Sequence, residues 1–312
     1  MSDDARAQID GLRSQLGRVI LGKPEAIESL VVALLSGSHI LMEDVPGVGK
    51  TTLAKALALS FSGDFKRVQF TPDLLPTDIL GSSIYNPKDG SFGFKQGPIF
   101  TNILLADEIN RASPRTQSSL LEAMSERQVS VEGTTSRLPA PFLVVATQNP
   151  IEFHGTYPLP EAQLDRFGMR INLGYPDKER ELDVLYSQFH HHPLEDVTPI
   201  LDGPAVVALQ TAVRAVKVER SVGRYIVELA DRTRRHPSLK MGCSPRGTLL
   251  LFRIAQSKAF VQGRDYVVPE DVKAVAVPTL AHRLGLDTKA KYSGILKEDI
   301  VRGILEEAPV GM

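Results

Sequence analysis

The chain has 312 residues, 42% apolar and 23% charged, with a formal net charge of -1 and one cysteine. At roughly 100 to 200 residues per domain this length carries two packed cores, and the composition excludes a disordered or fibrous chain. The near-zero charge excludes a global field that would attract nucleic acid, and a lone cysteine excludes an intramolecular disulfide, as expected of a cytoplasmic protein.

The first residues, MSDDARAQIDGLRSQLGRVILG, open on acids without a long apolar run, so no secretory signal is expected. Nowhere do about 20 apolar residues follow one another, so no membrane span is expected either. Amphipathic helices are predicted from Ala5 to Leu16 and from Pro24 to Leu35, then a strand from His39 to Glu43 and a helix from Thr52 to Leu59. Further apolar bursts predict strands over Arg67 to Phe70, Asn102 to Ala106 and Phe142 to Thr147, with segments between them long enough for crossover helices. This is the rhythm of a parallel sheet covered on both faces.

Two segments interrupt it. Ile84 to Phe94 and Arg127 to Leu138 alternate around Asp-Gly and Glu-Gly and read as β-hairpins. After Pro176 the pattern becomes helical over Lys178 to His190, Gly203 to Val218, Ser221 to His236, Pro245 to Gln262 and Pro269 to Leu284. The expected organisation is an αβα core over residues 1–176, followed over 177–312 by a linker helix and an all-helical lid.

The strongest chemical signal is the run from Asp44 to Thr51, DVPGVGKT, between a strand and a helix. Residues without a Cβ let backbone N–H groups wrap a phosphate at a helix N-terminus, while a lysine and a hydroxyl serve the phosphates and a magnesium ion. Gly47, Gly49, Lys50 and Thr51 supply these parts. The full P-loop pattern begins with glycine, and here Asp44 holds that place. Next, Ile103 to Ala106 runs into Asp107 and Glu108. A buried strand has no reason to end in paired carboxylates unless a cation sits there, so Asp107 is expected to hold magnesium and Glu108 to deprotonate the attacking water. At the same sheet edge Asn149 offers an uncharged amide, read as contacting the γ-phosphate or the water.

The segments VPGVGKT, LLADEINRASPRTQSSLLEAMSERQV, ATQNPIEFHGTYPLPEAQLDRF and GCSPRG together resemble the MoxR family of AAA+ ATPases, from about Gly22 to about Leu284. The resemblance implies a P-loop core with hairpins inserted in helix two and before the sensor-one strand, hydrolysing ATP with Mg2+ at the interfaces of a homo-oligomeric, hexameric ring. It makes Asn149 sensor one, Arg166 the arginine finger that reaches a neighbour's ATP, and Arg246 sensor two, with cis or trans action left open. It also places Val19, Ile20, Leu21 and Gly22 at the adenine, and Val45, Pro46, Gly47, Val48, Gly49, Lys50, Thr51 and Thr52 along the phosphates. Read without it, Arg166 and Arg246 are ordinary surface or interdomain ion-pair residues.

The implied function is chaperone-like remodelling or maturation of a protein or metal-cofactor target, with a separate partner carrying a von Willebrand factor A domain. The rivals are a nucleic-acid motor, a slow nucleotide-operated switch and a metal-chelatase motor subunit. Arg111 and Arg115 read equally as interface groups or helix-surface charge. The histidines from His190 to His192 read as a favourable helix C-terminus, Arg232, Arg234, Arg235, His236 and Lys240 as a solvated face, and Cys243 as structural.

Overall fold

A computed structural model of the chain describes residues 2–88, 90–131, 133–149, 156–189 and 191–309. Asp89 and Glu132, which fall within the two predicted hairpin segments, together with Pro150 and His190, lie outside that set. In chain order the elements are α1 (Asp3–Val19), α2 (Pro24–Ser36), β1 (His39–Glu43), α3 (Lys50–Ser60), β2 (Phe65–Gln69), α4 (Pro76–Leu80), β3 (Gly81–Tyr85), β4 (Phe92–Gln96), β5 (Ile103–Asp107), α5 (Pro114–Glu126), β6 (Gln128–Val131), β7 (Thr134–Arg137) and β8 (Leu143–Gln148). They continue with α6 (Glu161–Leu164), β9 (Phe167–Ile171), α7 (Lys178–Ser187), α8 (Gly203–Arg214), α9 (Arg220–Arg235), β10 (Leu239–Met241), α10 (Pro245–Val261), α11 (Pro269–Leu280), β11 (Gly285–Leu286), α12 (Thr288–Tyr292) and α13 (Lys297–Glu307).

Five strands form a parallel sheet in the order β2-β5-β8-β1-β9. Successive strand residues point to opposite faces, and the apolar runs are long enough to feed both. Ile40, Met42, Ile103, Leu105 and Val145 pack toward α1, α2 and α3, whereas Leu41, Leu104, Ala106, Val144 and Ala146 pack toward α5. Because all five strands run the same way, their carboxyl ends share one edge: Gln69 is level with Asp107, and Glu43 with Gln148.

Both hairpins form, as β3 with β4 and β6 with β7. Strand β9 is one that periodicity did not predict. Its sequence, FGMRI, is broken by a glycine and an arginine, and each has a tertiary reason. A Cβ on Gly168 would lie 2.3 Å from the Ser38 Cβ, so only glycine lets β9 close on the start of β1. Arg170 pairs with Glu43 at 2.9 Å and with Glu298 of α13, tying the sheet edge to the C-terminal helices.

The second half is helical apart from a short antiparallel pair, β10 with β11, which the all-helical expectation did not include. Helices α12 and α13, which follow the last helix predicted from the sequence, complete it. The lid helices share one apolar cluster with α1 and α2. Ser257 Oγ donates to Val32 O at 2.8 Å, and Lys258 pairs with Glu28 at 2.7 Å. Helix α7 ends at Ser187, short of the histidines. His192 instead caps a 3-10 turn, its Nδ1 accepting from Leu194 N at 3.1 Å, and His191 Nε2 lies 2.6 Å from Asp196 Oδ2. The helix-C-terminus reading of these two residues is therefore corrected: the chain has already left α7 and turned toward the 3-10 turn that His192 caps.

His39 is buried between β8 and α5, its Nδ1 accepting from Val144 N and its Nε2 donating to Met124 O. Burial is the main cause that lowers its pKa from 6.5 to about 4, with the positive charges of Arg127 and Arg246 adding to it and the Met124 carbonyl opposing. Burial also pushes His282 well below its ordinary value, helped by Arg283 beside it. The unfolded chain takes up these protons near 6.5 while the folded protein resists, so stability is lost as pH falls from there toward about 4. For His39 alone the loss is on the order of 3 kcal/mol. We expect a Tm distinctly lower at about pH 5 than at about pH 7.5; equal values would contradict a neutral, buried His39.

Candidate active site

The chain leaves β1 through Asp44 and Val45, turns at Pro46 and Gly47, and enters α3 at Lys50. Gly47 (φ 84) and Gly49 (φ 96) occupy the left-handed region that side chains avoid. No side chain caps α3, so its first N–H groups point freely out of the loop. Across the loop, Lys50 Nζ donates to Asp44 O at 2.9 Å.

The structure accounts for Asp44. Its carboxylate turns away from the phosphate side into the protein, where Oδ2 accepts from Leu173 N at 2.6 Å and Oδ1 from Gly174 N at 2.9 Å. The residue thus pins the start of the loop to the segment that leaves β9 toward α7, and spends its charge on two backbone donors. Asp44→Gly, which restores the full P-loop pattern, is therefore expected to destabilise the protein by about 1–3 kcal/mol, because a buried N–H loses its acceptor. A Tm equal to wild type would show that these bonds do not matter.

A cavity of about 340 Å³ opens beside the loop, lined by Lys50, Thr51, Thr52, Asp107, Glu108 and Asn149, and by Arg67 and Gln69 of β2. Thr147 organises its floor: its Oγ1 donates to Asp107 Oδ1 at 2.6 Å and accepts from Glu108 N at 2.8 Å. Glu108 adopts a left-handed conformation (φ 56, ψ 48), a strained one for a residue with a Cβ, which swings its side chain off the strand. There Glu108 Oε2 accepts from Gln69 Nε2 at 2.9 Å and pairs with Arg111 Nε at 3.0 Å. Arg67 donates to Asp107 Oδ2 through Nη2 at 2.6 Å.

Arg67 and Gln69 escaped the sequence reading. Their spacing at i and i+2 near the end of a strand was the available signal. On an edge strand, however, polar residues at that spacing are ordinary, and nothing local shows that the acids lie one strand away. Arg111, left open between two readings, bonds the expected base.

On the other side of the loop a second cavity, of about 260 Å³, is lined by Val19, Ile20, Leu21, Val48, Val184 and Gln188 among others. It shares Gly47, Gly49 and Thr52 with the first. A chamber of mixed aliphatic and polar lining joined across a glycine-rich loop to one lined by acids, Lys50 and Asn149 has the layout of a nucleotide site, base on one side and phosphates on the other. His192 and Pro193 also line it, beyond what was anticipated. Gly22 (φ 73) packs against the Arg180 side chain, and Val45 lies in the strand-to-loop junction; neither is among the lining residues.

The two remaining arginines stand apart. Arg166 follows the short α6, and Arg246 is the second residue of α10, its Nη2 donating to Ser125 Oγ on α5 at 3.2 Å. Neither is among the residues lining the two cavities.

Comparison with known proteins places this geometry. Residues 39–169 match the ATPase family associated with various cellular activities (AAA), and residues 231–304 match the AAA lid domain. Chaperone MoxR1 of Mycobacterium tuberculosis is 43% identical over 94% of this chain and 79% of its own length. The chain belongs to the MoxR family of AAA+ ATPases. The uncharacterized protein YeaC of Bacillus subtilis is 51% identical over 95% of this chain and 92% of its own length. A crystal structure of a candidate ATPase from Cytophaga hutchinsonii superposes with a TM-score of 0.91 at 41% identity, covering 99% of this chain and 96% of the other. The MoxR-family assignment carries ATP binding and hydrolysis with it, on an α/β core followed by a lid. Among the described residues no helix is long and apolar enough to cross a membrane.

Proposed function

We propose that this MoxR-family ATPase assembles into a hexameric ring in the cytoplasm and uses ATP hydrolysis to remodel or mature a protein or metal-cofactor target, together with a separate partner carrying a von Willebrand factor A domain. The observation that carries the ring is the incomplete site: one chain's cavity has the loop, Lys50, the two acids and Asn149, but neither Arg166 nor Arg246. Both arginines then serve the ATP of a neighbouring subunit, and the bond from Arg246 to Ser125 within its own chain supports trans rather than cis action. Large apolar side chains left exposed on α7, Leu182, Leu185 and Tyr186, recur at helical spacing beside the base chamber and suit burial by that neighbour. The division at 176/177 into core and lid belongs to this proposal.

Within the site, Glu108 takes the proton of a water whose oxygen bonds to the γ-phosphorus, while the bond from phosphorus to the bridging oxygen breaks and ADP leaves. Lys50 and Asn149 hold the phosphate oxygens. The Thr51 hydroxyl and the Asp107 carboxylate line one cavity and are hard oxygen donors suited to magnesium, which would offset charge on the phosphates.

A protein client is supported by the first hairpin, where Ile84, Tyr85 and Phe92 are exposed and the two rings meet at a tilt with their centroids 5.3 Å apart. Such a surface fits apolar segments of polypeptide. MoxR1 is named a chaperone, and the same role is proposed here. We expect an unfolded protein to stimulate ATP turnover, and expect Phe92→Ala to remove the stimulation while leaving basal turnover intact. Stimulation by DNA instead, falling steeply with salt, would favour the nucleic-acid motor.

A further inference from the structure

Arg283 carries a buried charge that the reactions above do not use. It is 2% exposed, in the 3-10 turn that follows α11. All five of its N–H groups are engaged. Nε donates to Thr279 O at 2.6 Å, Nη1 to Asp165 O at 2.7 Å and to Asp165 Oδ1 at 2.8 Å, and Nη2 to Phe167 O and, at 3.2 Å, to Gly168 O. Three of those four partner residues flank Arg166 on both sides. The other oxygen of Asp165, Oδ2, accepts from Ser244 Oγ at 3.0 Å. Ser244 in turn accepts from Gly247 N at 3.0 Å as the cap of α10, the helix that begins Pro245, Arg246.

The glycine of this turn belongs to the same construction. A Cβ on Gly247 would lie 2.7 Å from Cys243 Sγ and 3.1 Å from Arg283 Cδ, so a side chain there would push α10 off the arginine. A buried ion pair adds little net stability over apolar packing of the same volume, and its use lies in fixing one geometry. Here what it fixes is the backbone around one arginine and the helix start beneath another.

We propose that Arg283 and Asp165 are positioning residues: with Ser244 they lock the Arg166 loop of the core to the first turn of α10 in the lid, so that Arg166 and Arg246 are presented to the neighbouring subunit as one rigid unit. This rests on the reading that both arginines act in trans. It makes the lid's position and the finger's position a single variable.

The test uses full-length rings of mixed subunits. Asp165→Asn keeps the shape of the side chain and removes its charge. Ser244→Gly removes the hydroxyl and leaves a residue that helix caps tolerate, so it keeps the test open where Asp165→Asn fails to fold. Misplacement of catalytic groups by about 1 Å costs on the order of 100-fold, so kcat is expected to fall by roughly 10- to 100-fold in Asp165→Asn and by less in Ser244→Gly. The KM for ATP and the binding of a fluorescent ATP analogue should be unchanged, because each subunit's own P-loop is untouched.

Mixing either variant with Glu108→Gln, which has an intact Asp165 and Arg166 but no base, should restore turnover at interfaces where the Glu108→Gln subunit is the arginine donor. A lesion that simply damaged the fold would spoil the variant's own ATP site and give no rescue. Arg166→Ala mixed with Glu108→Gln is the reference. If it is rescued and the two variants are not, or if both variants turn over like wild type alone, the positioning role is overturned with the trans reading intact. If the reference itself shows no rescue in rings that demonstrably exchange labelled subunits, the trans reading fails and this proposal fails with it.

Discussion

Glu108→Gln is expected to bind ATP as wild type does and to lose turnover by roughly 10²- to 10⁴-fold, the range that a positioned general base contributes. The substitution is nearly isosteric, so the left-handed turn at Glu108 and the bond from its backbone N–H to Thr147 Oγ1 should persist. What disappears is the only acceptor at that position able to take the proton from water. Lys50→Ala makes the contrast: it removes the cation at the phosphates, and with it nucleotide binding itself. Equilibrium binding of a fluorescent nucleotide and steady-state phosphate release, measured on both variants, separate the two roles. Turnover near wild type in Glu108→Gln would take the base assignment away from this residue. The bond from Gln69 to Glu108 adds a refinement: the amide and Arg111 both engage Oε2 of the base and so fix how its carboxylate is turned.

How much of this site was legible in the sequence depends on how far apart its parts lie along the chain. The P-loop, the paired acids after an apolar strand and both hairpins were readable because the signal is contiguous: turn residues, apolar alternation and charge within about a dozen positions. Asp44 looked like a flaw in the pattern since its partners, Leu173 and Gly174, are in a strand connection that periodicity had not even marked. Strand β9 itself was hidden by Gly168 and Arg170, whose reasons are a close approach to Ser38 and a pair of acids from two distant elements. Arg67 and Gln69 drew no functional reading, because only the sheet order puts β5 and its acids next to β2. Arg283 gave the least local warning of all. An arginine after a helix is usually at the surface, and only the folded chain reveals that its five donors are all engaged.

The largest effect expected away from the chain's own cavity belongs to Arg166. Arginine fingers in other phosphoryl-transfer enzymes are worth about 10³ to 10⁵ in rate, which is roughly 4 to 7 kcal/mol of transition-state stabilisation. Arg166→Ala should therefore lower kcat by that order, with ATP binding retained, because the residue is not among those lining the chamber where Lys50, Thr51 and Glu108 lie. A dilution series gives an independent check. If the finger comes from a neighbour, specific activity of the wild-type protein should fall as rings dissociate, while Arg166→Ala should stay uniformly slow at every concentration. Activity that is independent of concentration across ring dissociation, measured by turnover and sedimentation together, would mean that one chain completes its own site. The geometry argues against that outcome: the Arg166 loop is already clamped through Asp165 to the buried Arg283, and the neighbouring Arg246 is bonded to α5, so bringing either guanidinium to its own P-loop requires breaking bonds that the folded chain has made.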